Sequence, residues 1–142
     1  MSEPYLLFRA AGIDWLLAME HVAEVALCDA DTRAGQQAGA HRAWRGRALP
    51  ARDLCRYFAA APAQAATPAH QLVVHGRQGP ELLAVEEILG LVRIEPSSLV
   101  PFAPTTARTA RHTDLALRRH DGSCALRLRW PLADDGDADS AA

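Results

Sequence analysis

The feature that most limits what this chain can become is the rhythm of its apolar runs. They are short, recur along the whole length and are each closed by turn-forming residues. Such runs read as strands, because a half-buried strand needs only every second side chain apolar, whereas an amphipathic helix needs a longer stretch at a period near 3.6. Residues 115–130 are the sharpest instance: "LALRRH" and "SCALRLRW" flank Asp121-Gly122. Asp-Gly between alternating strands is a strong short-hairpin signal. In the second run Cys124, Leu126, Leu128 and Trp130 share one face and Arg127 and Arg129 the other, which assigns the core side to the first set.

The same logic orders the rest of the chain. "YLLFRA" (5–10) and "WLLAM" (15–19) form a hairpin around "AGID", and "EHVAEVAL" (20–27) is expected to turn and continue as a strand. Residues 28–42 carry almost no large apolar side chain and read as a surface loop. "AWRG" and "RALPARDL" are two short extended pieces around Gly46. Pro50 has no N–H to donate and is expected at a sheet edge or bulge. Asp53 is expected to N-cap a short helix over 54–60, its carboxylate accepting from the first free N–H groups, a structural duty and not a catalytic one. The Pro- and Ala-rich residues 61–70 form a linker, and 71–76 with 81–94 give a hairpin and a further strand interrupted near Glu86-Glu87. Turn chemistry marks 95–104, and 105–113 read as a polar loop. Nine or ten short strands with two small helical turns suit an all-β protein of two small barrels or one larger one. The folded unit is expected over 1–132, and the acidic "ADDGDADSAA" (133–142) is expected to be disordered.

Composition narrows the function. With 142 residues the chain suits a single domain whose stability needs no disulfide or metal. Cys28, Cys55 and Cys124 are odd in number and far apart, as reduced thiols would be. No apolar run approaches the roughly 20 residues of a membrane span, and the N-terminus lacks the features of a secretory signal, so a cytoplasmic protein without direct membrane insertion is expected. The six histidines are scattered, the serines stand in no glycine-flanked elbow, and no phosphate-cradling loop occurs, so no enzyme, cofactor or metal is expected. All 15 basic residues are arginine, yet the net charge is −2, which creates no field to gather nucleic acid. Arg118, Arg119, Arg127 and Arg129 cluster on one hairpin without interleaved aromatics and read as a solvated face, so a nucleic-acid-binding barrel ranks behind protein docking.

The order "YLLFRAAGIDWLLAMEHVAEV", "WRGRALPARDL" and "QLVVHGRQGPELLAVEEILGLVRIEPSSLVPFAP" resembles the CheW-like domain, the coupling module of bacterial chemotaxis arrays. The matching features are Val22, Glu24 and Val25; Arg45-Gly46 with Pro50, Asp53 and Leu54; and Val85 to Ile88 running on to Ile94 and Pro101. The resemblance implies two small SH3-like five-stranded β-barrels packed together and no catalysis. Its implied partners are the cytoplasmic tip of a methyl-accepting chemoreceptor and the regulatory domain of a CheA-type histidine kinase, with the receptor in the groove between the barrels. With it, Glu24, Trp44, Arg45 and Gly46 are the expected partner contacts, and Pro50, Asp53 and Trp130 are expected to be structural. Glu24 and Arg45 are expected to form an ion pair, contributing ~0–1 kcal/mol if exposed and costing ~3–5 kcal/mol on loss of one partner if buried. Gly46 is expected at positive φ or at a close backbone approach. Trp44 suits either a core anchor or an interface contact. Ala40, Ala43 and Trp44 replace the family's glycine, asparagine and leucine, and Glu86 its aspartate. These departures keep open a divergent scaffold for another partner, such as one in type IV pilus motility.

Overall fold

The computed structural model describes residues 1–27, 41–44, 46–61, 65–102 and 107–132. The expected loop at 28–42 lies mostly outside these residues, and the tail expected at 133–142 lies wholly outside them. Eleven strands are found among the described residues: β1 (Glu3–Ala10), β2 (Ile13–Ala18), β3 (Val22–Leu27), β4 (His41–Trp44), β5 (Arg47–Asp53), β6 (His70–Gly76), β7 (Gly79–Val85), β8 (Glu87–Ile94), β9 (Leu99–Pro101), β10 (Leu115–Arg118) and β11 (Cys124–Arg127). Two short helices accompany them, α1 (Leu54–Tyr57) and α2 (Ala107–His112), with 3-10 turns at Met19–His21 and Pro96–Ser98.

The strands form two sheets, β8-β1-β2-β11-β10-β9 and β3-β6-β7-β5-β4. They are the expected all-β pair of SH3-like, barrel-like halves, one of six strands and one of five, and neither sheet closes. Segments before and after residues 61–70 contribute to both sheets, so that stretch joins α1 to β6 and does not divide the two halves.

Local chemistry explains the turns. β1 and β2 are joined by Ala11 and Gly12 at φ +57° and +73°, the two left-handed residues that a tight two-residue hairpin requires. The Asp121-Gly122 hairpin is longer: Arg119 and Ser123 pair through their backbones, leaving His120, Asp121 and Gly122 as a three-residue loop. Gly122 holds φ +87° there, the position for which glycine is suited. Residues 107–112, expected as loop, are helical, since alanine and arginine are good helix formers and Thr109 and His112 turn inward. β5 lies between β4 and β7 in the sheet order, yet each of its residues pairs on one side only, which suits Pro50. Its first half pairs with β4 as far as His41 opposite Pro50, and pairing with β7 begins only at Ala51, so Pro50 stands at the change of partner.

One face of each sheet contributes to a shared core. Phe8, Trp15 and Leu17 of the larger sheet meet Leu72, Val74, Leu83 and Val85 of the smaller, with Leu54 and Phe58 between. Trp15 stacks on Phe58 at 4.4 Å between centroids. Truncating a buried aromatic such as Phe8 costs about 3–5 kcal/mol, which makes this core the joint between the halves. The opposite faces hold smaller clusters, Tyr5, Leu16, Ile94 and Ala125 in one sheet and Leu49, Val73 and Leu82 in the other. Because β11 is an interior strand, Ala125 is buried along with Leu126, and core side chains point both ways. Trp130 lies beyond the end of β11 and is half-buried: its ring packs against the shared core while its indole N–H donates to the His75 carbonyl at 2.8 Å. Among the described residues no helix is long and apolar enough to cross a membrane.

Candidate docking surface

Among the described residues, the edges of the two sheets carry most of the large apolar side chains left in water. On β8, an edge of the larger sheet, Leu89 and Leu91 are 37% and 67% exposed. Leu7 opposes Gly90 and Phe8 opposes Ile88, so Leu89 is the extra residue of a β-bulge. A bulge re-aims its side chain and ends regular pairing. On β3, an edge of the smaller sheet, Val25 is 44% exposed and follows a second bulge, between Val22 and Glu24. Single exposed leucines are ordinary. Two spaced i, i+2 on an edge strand form instead a short apolar ridge, a surface suited to a protein partner.

A cleft of about 790 Å³ opens beside this ridge, between Leu89 of β8 and Phe102, the residue after β9. Its walls also include Arg9 of β1, Asp14 of β2 and Leu126 of β11, strands that stand between β8 and β9 in the sheet order. Its polar wall is a charge cluster that includes Arg119, one of the four arginines expected on a solvated face. Asp14 is buried; its Oδ1 accepts from Arg9 Nε at 2.9 Å and its Oδ2 from Arg119 Nη2 at 2.7 Å. Arg119 Nε also donates to Ser123 Oγ at 2.8 Å. Burial pushes the Asp14 carboxyl up, but the hydrogen bonds and charges of Arg9 and Arg119 outweigh it and hold the group below its ordinary value. Glu86, in the break between β7 and β8, accepts from the Gly12 N–H at 2.8 Å and pins the first hairpin's turn. The Arg9–Asp14 pair was findable in the sequence, since both residues flank the Ala11-Gly12 turn symmetrically and oppose each other in register. Arg119 gave no such signal, because the β2–β11 pairing joins strands distant in sequence.

The expected contact residues fall around the β4–β5 hairpin and β3. Glu24 is half-buried on β3. Arg45 lies outside the described residues, and so does the expected Glu24–Arg45 pair. Trp44 ends β4 in register with Arg47; the choice between core and interface for its ring also falls outside them. Gly46 has φ +75° with open space where a Cβ would stand, so its need for glycine is conformational and not steric. Asp53 Oδ1 accepts from the N–H groups of Cys55 at 2.9 Å and Arg56 at 3.3 Å and caps α1, which ends at Tyr57, short of the expected residue 60. Burial pushes the Asp53 carboxyl up, and these hydrogen bonds offset it only in part. A second cleft, of about 590 Å³, lies between β5, the β6–β7 turn and the C-terminal segment, with Arg47, Arg52, Arg77 and Trp130 among its walls. Among the described residues no group of three or more His, Cys, Asp and Glu side chains is placed to hold a metal ion.

Residues 4–131 match a family model described as the CheW-like domain. Among solved structures, the chain resembles the crystal structure of the scaffolding protein TtCheW from Thermoanaerobacter tengcongensis, with a TM-score of 0.66 and 16% sequence identity over 91% of this chain and 90% of that one. At that identity the likeness speaks for the fold. Comparison with curated proteins gives no match.

Proposed function

Because the chain belongs to the CheW-like domain family, a family of chemotaxis coupling adaptors, we propose that it is a non-enzymatic cytoplasmic scaffold. It holds the cytoplasmic tip of a chemoreceptor next to the regulatory domain of a CheA-type histidine kinase. The observation that carries this reading is the family match, which runs through nearly all of residues 1–132, the span we take as one adaptor unit. The physical support is the apolar ridge of Leu89 and Leu91 on an edge strand, a surface for binding and not for bond chemistry. Glu24, Trp44, Arg45 and Gly46 are the proposed contact residues on the second sheet.

The test is capture of the cognate kinase and receptor fragments by the purified chain and by Leu91→Asp. Leu91 is two-thirds exposed, so the substitution should leave thermal unfolding within about 0.5 kcal/mol of the parent. Partner affinity should fall at least tenfold, the cost of a charge in an apolar contact of about 1.4 kcal/mol or more. Retention of both partners by Leu91→Asp at full affinity removes β8 from the interface. Failure of the parent chain to capture either partner removes the coupling role.

A further inference from the structure

We propose that β8 is a self-association surface, and that its occupant is the β8 of a second copy of this chain, set antiparallel across a two-fold axis near Gly90. β8 is an outer strand of the larger sheet, and its alternate residues Glu87, Leu89, Leu91 and Arg93 are all exposed. The apolar pair is thus flanked by an acid at one end and a base at the other. The Glu87 side chain is 52% exposed, with only an Arg9 nitrogen as far off as 3.9 Å beside it. Arg93 has no ion-pair partner among the described residues.

The occupant follows from the order of these side chains. Positions 87 and 93, like 89 and 91, are equally spaced about residue 90, so a two-fold axis there lays the leucines of one copy against those of the other. The same operation brings Glu87 of each copy to Arg93 of the other, so the charge match is made twice. A parallel arrangement would instead set Glu87 against Glu87 and Arg93 against Arg93, like charge on like. Gly90, at the centre, holds φ +146° with nothing within 4 Å of the point a Cβ would take, which leaves the middle of the ridge unobstructed. The Ile88 N–H already donates to His70 Nδ1 at 2.6 Å, so side chains and not an extended ladder make the contact. A ridge this short buries less than the roughly 1,200 Å² of a stable interface, so the dimer is weak, with a dissociation constant on the order of 10 μM. The consequence, which rests on the adaptor reading, is that a kinase or receptor contacting Leu91 must first displace the second copy.

The test is analytical ultracentrifugation of the full chain, kept reduced so that no disulfide joins two copies, from about 1 to 300 μM, a range that spans this constant. The weight-average mass should rise with concentration toward twice that of the monomer. At a given concentration it should fall near 0.5 M NaCl, where the screening length is about 4–5 Å. Leu91→Asp should weaken association at least about tenfold. Glu87→Arg and Arg93→Glu, each alone, should weaken it at least about fivefold, since each sets like charges against one another at both ends of the ridge. Mixed in equal amounts, those two variants should associate as tightly as the parent, because both Glu–Arg contacts are restored between unlike chains. A chain that stays monomeric throughout overturns the proposal. So does a dimer indifferent to Leu91→Asp, or one whose charge-reversed variants fail to recover on mixing. None of these readouts involves kinase or receptor, so the adaptor reading can fail while this one stands, and the reverse.

Discussion

Arg119, in the β10–β11 turn, donates to the buried carboxylate of Asp14 on β2 at 2.7 Å. This contact fastens the hairpin nearest the C-terminus of the larger sheet onto the hairpin nearest its N-terminus. Asp14 is satisfied from both sides, since Arg9 holds its other oxygen.

Removing the carboxylate should therefore cost more than removing either arginine. Asp14→Ala leaves two guanidiniums facing a half-buried gap and should lower stability by about 3 kcal/mol. Arg119→Met, with Arg9 still in place and itself 41% exposed, should cost about 1–2 kcal/mol. Urea unfolding at constant m-value measures both. An Asp14→Ala loss below that of Arg119→Met would refute the shared-carboxylate account.

The same group sets an acid limb. Its folded pKa lies below the ordinary 3.8, so the stabilisation it contributes is present above that value and is lost as pH falls through it. Between about pH 5 and pH 2 the parent should lose urea stability more steeply than Asp14→Asn, in which the titrating group is absent. Asp53 works in the opposite sense: its raised pKa makes ionisation a cost that appears as pH climbs through the carboxylate range. Parallel pH profiles for parent and Asp14→Asn would count against this assignment.

The cap on α1 separates hydrogen bonding from charge. Asp53→Ala removes the acceptor for Cys55 and Arg56 and should cost about 1 kcal/mol. Asp53→Asn keeps an acceptor and relieves the buried charge, so its melting temperature should match or exceed the parent's. Equal losses in the two variants would show that charge, not acceptance, does the capping.

Thiol reactivity should divide by burial. The Cys55 thiol is pushed up to about 12, first by burial and then by the charges of Asp53 and Glu86, so at pH 8 it holds almost no thiolate. Cys124 is only partly buried. Iodoacetamide followed by peptide mapping should find Cys124 modified at least tenfold faster than Cys55 in the folded chain. Comparable rates would mean that the α1 region opens readily.

The sequence by itself determined the all-β class, the order and near-boundaries of most strands, the turn at Ala11-Gly12, the break at Glu86 and the Asp53 cap. Each of these is a contest settled within a few residues: alternation against helical period, glycine against a Cβ, a carboxylate against free N–H groups. Pairing distant strands was decided only in three dimensions. The parallel β2–β11 and β5–β7 ladders join segments far apart in sequence, and they explain why Arg119 meets Asp14, why Ala125 is buried, and why β5 changes partner after Pro50. The helix at 107–112 belongs with them, since Thr109 and His112 face inward only because a core exists for them to meet. A side chain's periodicity states which neighbours it shares a face with, but burial is conferred by the surface that packs against that face, and that surface comes from elsewhere in the chain.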